Sequence, residues 1–430
     1  MKDSALTLDI THGITHHITH HITPALQARA RALPKVLLHE HLDGDLRVAT
    51  LFELLKQSGL PMPACAAADP AALAAWFDAN ALAGSLEKYL EGFALTVAAM
   101  ASPAALARVA REAAEDAAAQ GAVLAEFRIA PLLFEAHGLD GDTVVQALLQ
   151  GLDDSPLPLG THSGLIVCAM RQLPPAETLR AAALALRWQG RGVVGFDLAG
   201  PERGFPPADH AQALALVRAA GLPITLHAGE ADAAERVLDA ARLGAARIGH
   251  GVRLVDALAT PQRDAVLAEV RDRGLHLEVC PTSNVHTGAA TDIASHPITA
   301  LWQAGVSLSY HTDNTLMSCL THSDEAAALL AHTPLTEADL VAMAQQAAAH
   351  SFLPAAARAR AADEIAARAA VMGVVPSVVT GVVPGVVTGV VTSVVTSVVT
   401  DGVTDGVAGV TVGATAGGAG TGDSAVHGRP

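Results

Sequence analysis

Between residues 28 and 372 the chain alternates short apolar runs with longer alanine-rich stretches. The short runs are KVLLH (35–39), AVLAEFRI (122–129), LGTHSGLIVCAM (159–170) and GVVGFDLAG (192–200). They continue with PITLHAG (223–229), ARIGHG (246–251), LHLEVCP (275–281) and GVSLSYHTD (305–313). Their length and branched residues predict strands. SPAALARVAREAAEDAAAQ (102–120), DHAQALALVRAA (209–220) and ADAAERVLDAARL (231–243) predict helices between them. Such alternation favours parallel βα units, and eight of them favour a closed (β/α)8 TIM barrel over an open doubly wound sheet. A longer stretch after the first strand, roughly 50–100, is predicted to add helices over the barrel mouth.

The two ends break this pattern. Residues 1–27 read as a low-complexity arm, with five histidines in THGITHHITHHITP (11–24). Histidine tracts can bind metal, but the arm is expected to be unstructured. Residues 373–430 repeat VVTG, VVTS and VVTD and then turn Gly- and Ala-rich. With no distinct apolar face, this tail is predicted to be disordered. Neither end is expected to carry chemistry.

Composition narrows the function classes. The 430 residues carry a formal net charge of −16, which argues against a nucleic-acid partner, because phosphate-backbone affinity needs clustered Lys and Arg. A neutral nucleoside is not excluded. Cys65, Cys168, Cys280 and Cys319 are scattered and form no CxxC pair. A disulfide framework or zinc knuckle is therefore not expected, and a reducing cytoplasm fits. The start MKDSALTLDITHG has no apolar h-region, and no convincing membrane span is expected. No GxGxxG follows the first strand and no GxxxxGK[ST] occurs, so a nucleotide-cofactor fold loses its usual support.

Candidate chemistry gathers at the ends of the strands, where a barrel places its active site. His39 and His41 are two apart, so on a strand both imidazoles face one side and can converge on a metal. Taken alone, the pair also reads as two polar groups beside a turn. His227 ends ITLH, and Glu230 follows it by three residues. Glu230 could exchange protons with a metal-activated water or begin a helix at its positive dipole end. His250 lies between Gly249 and Gly251, small neighbours that allow close approach. It could orient an attacking hydroxide or be structural. Asp313 could ligate metal from the eighth strand or cap a turn, and the Asn314 amide suits a heterocyclic nitrogen. Three histidines and a carboxylate make a plausible mononuclear site. No lysine at a strand end is available to bridge a second metal. Cys280 reads as packing, since no paired base is evident.

The segments PKVLLHEHLDG, GFDLAGPE, LHAGE, RIGHG, CPTSN and HTDN occur in one order from about 34 to 315. In that order the chain closely resembles the adenosine deaminase family of zinc-dependent amidohydrolase barrels. TDN, SLEKYLEGF and the alanine content resemble its high-GC Gram-positive branch. The resemblance implies one Zn2+ per chain held by His39, His41, His227 and Asp313. It implies Glu230 as proton donor to purine N1, and His250 as the group that positions hydroxide. The substrate-facing residues would be His41, Asp43 at the ribose hydroxyls, the Gly200 backbone N–H at N3 and Asn314 at N7. Many family members carry a second aspartate where Asn314 stands. The implied reaction is hydrolytic deamination of adenosine and 2′-deoxyadenosine to inosine and deoxyinosine plus ammonia, by attack of metal-bound hydroxide at C6. The alternatives are another 6-aminopurine compound, such as aminodeoxyfutalosine or adenine, or a non-catalytic purine-binding barrel. The oligomeric state, monomer or homodimer, is left open.

Overall fold

The computed structural model describes residues 22–82 and 86–377. The histidine repeat up to residue 21 and the Val/Thr repeat beyond 377 lie outside them. All eight expected strands are present: β1 (Lys35–His41), β2 (Ala122–Ile129), β3 (Ser163–Met170), β4 (Val193–Ala199), β5 (Thr225–Ala228), β6 (Arg247–His250), β7 (His276–Val279) and β8 (Leu308–Tyr310). Neighbours pair in parallel from β1 to β4 and from β5 to β8. Two parallel bridges join these halves. Phe196 N–H donates to Pro223 O at 3.0 Å between β4 and β5. At the other seam, His41 N–H donates to Asp313 O at 2.8 Å, and Asp313 N–H donates to His39 O at 3.0 Å. The barrel therefore closes through the same residues that were singled out as metal ligands.

The helices between strands start where capping chemistry stops the chain from extending. Ser102 accepts from Ala105 N–H at 3.2 Å, and Pro103 opens the helix Pro103–Ala119. Asp140 accepts from Thr143 N–H at 2.7 Å and opens Gly141–Asp153. A short side-chain oxygen at this position satisfies an otherwise orphaned backbone donor. The insertion after β1 holds the helices Val48–Ser58, Pro70–Ala81 and Leu86–Ala99. The last packs against the turn Leu42–Gly44, and Pro70–Ala81 packs against Thr315–Ser318. Both contacts lie on the C-terminal rim of the barrel, where the sequence placed them.

Two boundaries need correction. Helix Pro24–Ala32 begins inside the stretch assigned to the arm. Thr23 Oγ1 accepts from Leu26 N–H at 3.2 Å, and Pro24 occupies the first helical position. That cap was hidden inside the ITHH repeat. At the other end, Ser377 N–H donates to Ala338 O at 3.1 Å, and Val374 packs on the core, so the body extends beyond 373. Among the described residues, no single helix is long and apolar enough to cross a membrane.

The barrel interior departs from the usual branched aliphatic filling. Arg128, Arg247, Glu126, Glu278 and Asp197 are all fully buried. Arg128 meets Asp197 at 2.9 Å and Glu278 at 2.6 Å, while Arg247 meets Glu278 at 2.6 Å and Glu126 at 2.7 Å. Burial alone would push the Glu278 carboxyl up. The two guanidiniums outweigh it and hold the group well below the usual range.

Outside the barrel, helices Pro103–Ala119 and Gly141–Asp153 touch backbone to backbone at Gly151. A Cβ there would lie 2.1 Å from the Ala107 carbonyl oxygen. Gly151→Leu is expected to destabilise the protein by about 1–3 kcal/mol, the usual range for overpacking. A denaturant midpoint unchanged from the parent would contradict this close approach.

Candidate active site

The side chains that matter come from the C-terminal ends of β1, β5, β6 and β8. His39 Nδ1 lies 2.8 Å from Glu278 Oε2, and His227 Nδ1 lies 3.1 Å from Asp197 Oδ1. Burial pushes the Asp197 carboxyl up, but His227 and Arg128 outweigh it and hold the group well below its ordinary value. Two carboxylates therefore accept from the Nδ1–H groups. This fixes both tautomers and turns the bare Nε2 atoms toward one point.

At that point, His39 Nε2 is buried with no hydrogen bond among the described residues, 3.3 Å from Asp313 Oδ1. His41 Nε2 lies 3.2 Å from His227 Nε2 and 3.5 Å from Asp313 Oδ1. Burial holds the His41 imidazole neutral, well below its usual pKa. Ser283 Oγ donates to Asp313 Oδ2 at 2.7 Å, leaving Oδ1 for the centre. Burial pushes the Asp313 carboxyl up, but the surrounding histidines, the hydrogen-bonded His39 first, outweigh it and hold the group well below its ordinary value. Acceptor atoms crowded together in this way are relieved by a shared cation, and imidazole with carboxylate suits zinc.

The tightest group of possible ligands is His39, His227, His250 and Asp313, whose donor atoms all lie within 4.8 Å of one another. His41, expected as a ligand, stands just outside this group. His250, expected beside the ligands, stands inside it. The cluster forms a mononuclear metal site for zinc.

Space for it depends on Gly249. A Cβ at that position would lie 2.8 Å from His39 Cε1 and 3.3 Å from His227 Cα. The small neighbour predicted beside His250 thus makes room for a different histidine.

Glu230 sits in a bend after β5. Helix Glu235–Arg242 starts five residues later, so the helix-start reading of Glu230 fails. A carboxylate anchors the bend instead. Glu202 accepts from four successive backbone N–H groups: Gly229 at 2.5 Å, Glu230 at 3.0 Å, Ala231 at 2.8 Å and Asp232 at 3.0 Å. Thr287 Oγ1 donates to Glu230 Oε1 at 2.8 Å, leaving Oε2 facing His250 Nε2 at 3.6 Å.

The remaining expected residues line the same rim. Asp43 is buried on the Leu42–Gly44 turn, and its Oδ1 has no partner among the described residues. Burial raises its pKa to about 7. Asn314 is buried against Gly44. Gly200 follows β4 with φ +97°, a conformation that favours glycine. Cys280 is buried and its thiol is pushed well above the usual range by burial, in line with a packing role.

Sequence reasoning missed Asp197, Glu202, Glu278, Ser283 and Thr287. Asp197 and Glu278 carried a signal, since each interrupts an apolar strand (GFDLAG, LHLEVCP). Glu202 and Ser283 carried none beyond lying in GFDLAGPE and CPTSN, and Thr287 lies outside every segment singled out.

The adenosine deaminase family model matches residues 34–368. The chain belongs to the adenosine deaminase family. It is 40% identical over 358 residues to the adenosine deaminase of Mycobacterium tuberculosis, covering 80% of this chain and 95% of that one. It is 42% identical over 318 residues to the adenosine deaminase of Mycobacterium marinum, covering 70% and 85%. Among solved structures, a zinc-bound amidohydrolase from Burkholderia ambifaria superposes with TM-score 0.71 at 25% identity, covering 82% of this chain and 96% of that one. The mycobacterial relatives agree with the high-GC Gram-positive branch that the TDN and SLEKYLEGF segments suggested. The family's (β/α)8 barrel is the fold described above.

Two outcomes test this geometry. Gly249→Ala forces His39 off its position, so activity is expected to fall about 10²-fold, the usual effect of a displacement near 1 Å. Zinc retained after dialysis against a chelator should fall with it, and an unchanged zinc content would contradict the steric argument. Glu202→Ala frees the bend and is expected to lower kcat about 10- to 100-fold while zinc content stays full.

Proposed function

We propose that this family member hydrolytically deaminates adenosine and 2′-deoxyadenosine, giving inosine and deoxyinosine plus ammonia. The observation that carries this reading is the free Oε2 of Glu230, facing His250 beside the metal-binding cluster. His39, His41, His227 and Asp313 hold the zinc, with His250 outside the ligand set. Zinc, when bound, supplies a Lewis acid and lowers the pKa of water.

The chain's own residues do the rest. Thr287 occupies Glu230 Oε1, so the proton delivered to purine N1 comes from Oε2. His250 orients the oxygen that adds to C6. The 6-amino group then takes a proton and leaves as ammonia, which balances the addition of one water. The Gly200 N–H meets N3. The Asn314 amide meets N7 as a donor and needs no proton of its own to do so. His41 borders the reacting edge.

Asp43 favours a nucleoside over a free base. A buried carboxyl with an open Oδ1 is matched by the ribose hydroxyls, and its desolvation is offset only when they are present. No cluster of basic side chains was found in the sequence for a 5′-phosphate. The scattered free cysteines and the net charge of −16 support a cytoplasmic enzyme that works on a small molecule and not on nucleic acid.

Initial rates on adenosine, 2′-deoxyadenosine, adenine and aminodeoxyfutalosine, followed by ammonia release, test the substrate. The two adenine nucleosides should have the highest kcat/KM, and a clear preference for adenine or aminodeoxyfutalosine would replace this choice. Glu230→Gln should lower kcat by about 10²–10⁴-fold, as expected on loss of a proton donor, with zinc retained. Asp43→Ala should raise KM for adenosine and leave any turnover of adenine unaffected.

A further inference from the structure

We infer that His250 is held as an Nε2–H donor by a buried relay running from the Ile298 backbone through His296 and Asn284. The inference deepens the proposed deamination and rests on it for its kinetic consequence. The relay starts from a group whose direction cannot be reversed. Ile298 N–H donates to His296 Nδ1 at 3.0 Å, so Nδ1 carries no proton. His296 is buried, and burial lowers its pKa to about 3, so the ring is neutral and its proton sits on Nε2.

That Nε2 lies 3.3 Å from Asn284 Oδ1. The opposite amide orientation would set two donors against each other, so the oxygen must face His296. The Asn284 amide nitrogen therefore faces His250 Nδ1, 3.0 Å away, and donates to it. An Nδ1 that accepts this bond carries no proton, and the neutral ring keeps its hydrogen on Nε2. Nε2 is the atom that faces Glu230 Oε2.

Two consequences follow. His250 meets the centre with a hydrogen and not a lone pair. Although its ring lies within the tight donor cluster, it is not a metal ligand, and the third imidazole falls to His41. An N–H fixed in advance also serves as a donor to the oxygen that adds to the purine, without reorganisation during the reaction. Asn284 and His296 are thus positioning residues. Asn284 lies in CPTSN, and His296 lies twelve residues after that segment ends.

The test uses the full-length zinc protein labelled with 15N-histidine. Long-range 1H–15N spectra distinguish the two tautomers, and the His250 signals are those lost in His250→Gln. The wild type is expected to show Nε2 protonated and Nδ1 bare. Asn284→Asp is nearly isosteric but offers only acceptors. It should move the His250 proton to Nδ1 and lower kcat on the order of 10²-fold, with KM and zinc content near wild type. His296→Leu should also lower kcat, whereas His296→Gln, which still donates to Asn284 Oδ1, should restore most of it.

A wild-type His250 protonated at Nδ1 would overturn the relay. So would a tautomer switched by Asn284→Asp with kcat preserved, or a His296→Gln enzyme as impaired as His296→Leu. Absence of turnover of every 6-aminopurine by the wild type would instead overturn the deaminase reading, and the nitrogen spectra would still decide the relay.

Discussion

The seam between β1 and β8 is the contact on which everything else depends. Two backbone hydrogen bonds, His41 N–H to Asp313 O and Asp313 N–H to His39 O, join the first and last strands. The side chains reinforce them from the outer face of β1. Glu40 accepts from Thr315 N–H at 2.8 Å and from the Thr312 hydroxyl, and the Thr315 hydroxyl donates to Asp45. Burial, then the neighbouring Asp45, raises the Glu40 carboxyl well above its usual range. Barrel closure and the placing of the metal-binding side chains are one event. Asp313 adopts φ 64° and His250 φ 62°, in the left-handed region that costs a residue with a side chain about 1–3 kcal/mol. With Cys319 they are the non-glycine residues of positive φ among those described, so two of the three strained positions lie in the active site.

The buried ions behind the seam answer a different need. Ion pairs of this kind seldom add stability over apolar packing, because desolvation cancels the attraction. Here they hold Glu278 and Asp197 as carboxylates in a place where burial would neutralise them. Those carboxylates in turn set the tautomers of His39 and His227. Arg171 works in the same way on the chain itself. It donates to Leu198 O at 2.7 Å and to His227 O, tying β4 to β5 just below Glu230. The interior thus exchanges filling efficiency for control of which nitrogen points where.

Most of the fold was legible because strands buried on both faces stand out as apolar runs. His39, His227 and Asp313 were legible because each is a polar residue that ends such a run. Taken as residues, His41 and His250 read alike, both being histidines at strand ends, and only the family resemblance gave them different roles. The contact of His250 Nδ1 with Asn284, 3.0 Å away, comes from another segment that no local pattern links to it. Glu202 was hidden for a related reason: four backbone donors 27 to 30 residues away give it its role, and no local pattern marks them. The arm boundary at 27 failed because Thr23 and Pro24 looked like one more unit of a repeat, although Thr-Pro is also a helix start.

The seam also dictates when the site can exist during synthesis. β1 leaves the ribosome first and β8 last, and their bond joins residues 39–41 to residue 313. Chains are completed at about 5–20 residues per second, so the first two histidines wait more than ten seconds for the carboxylate that completes their set. The metal-binding cluster, which takes Asp313 from the last strand, is therefore complete only once the whole barrel has been made.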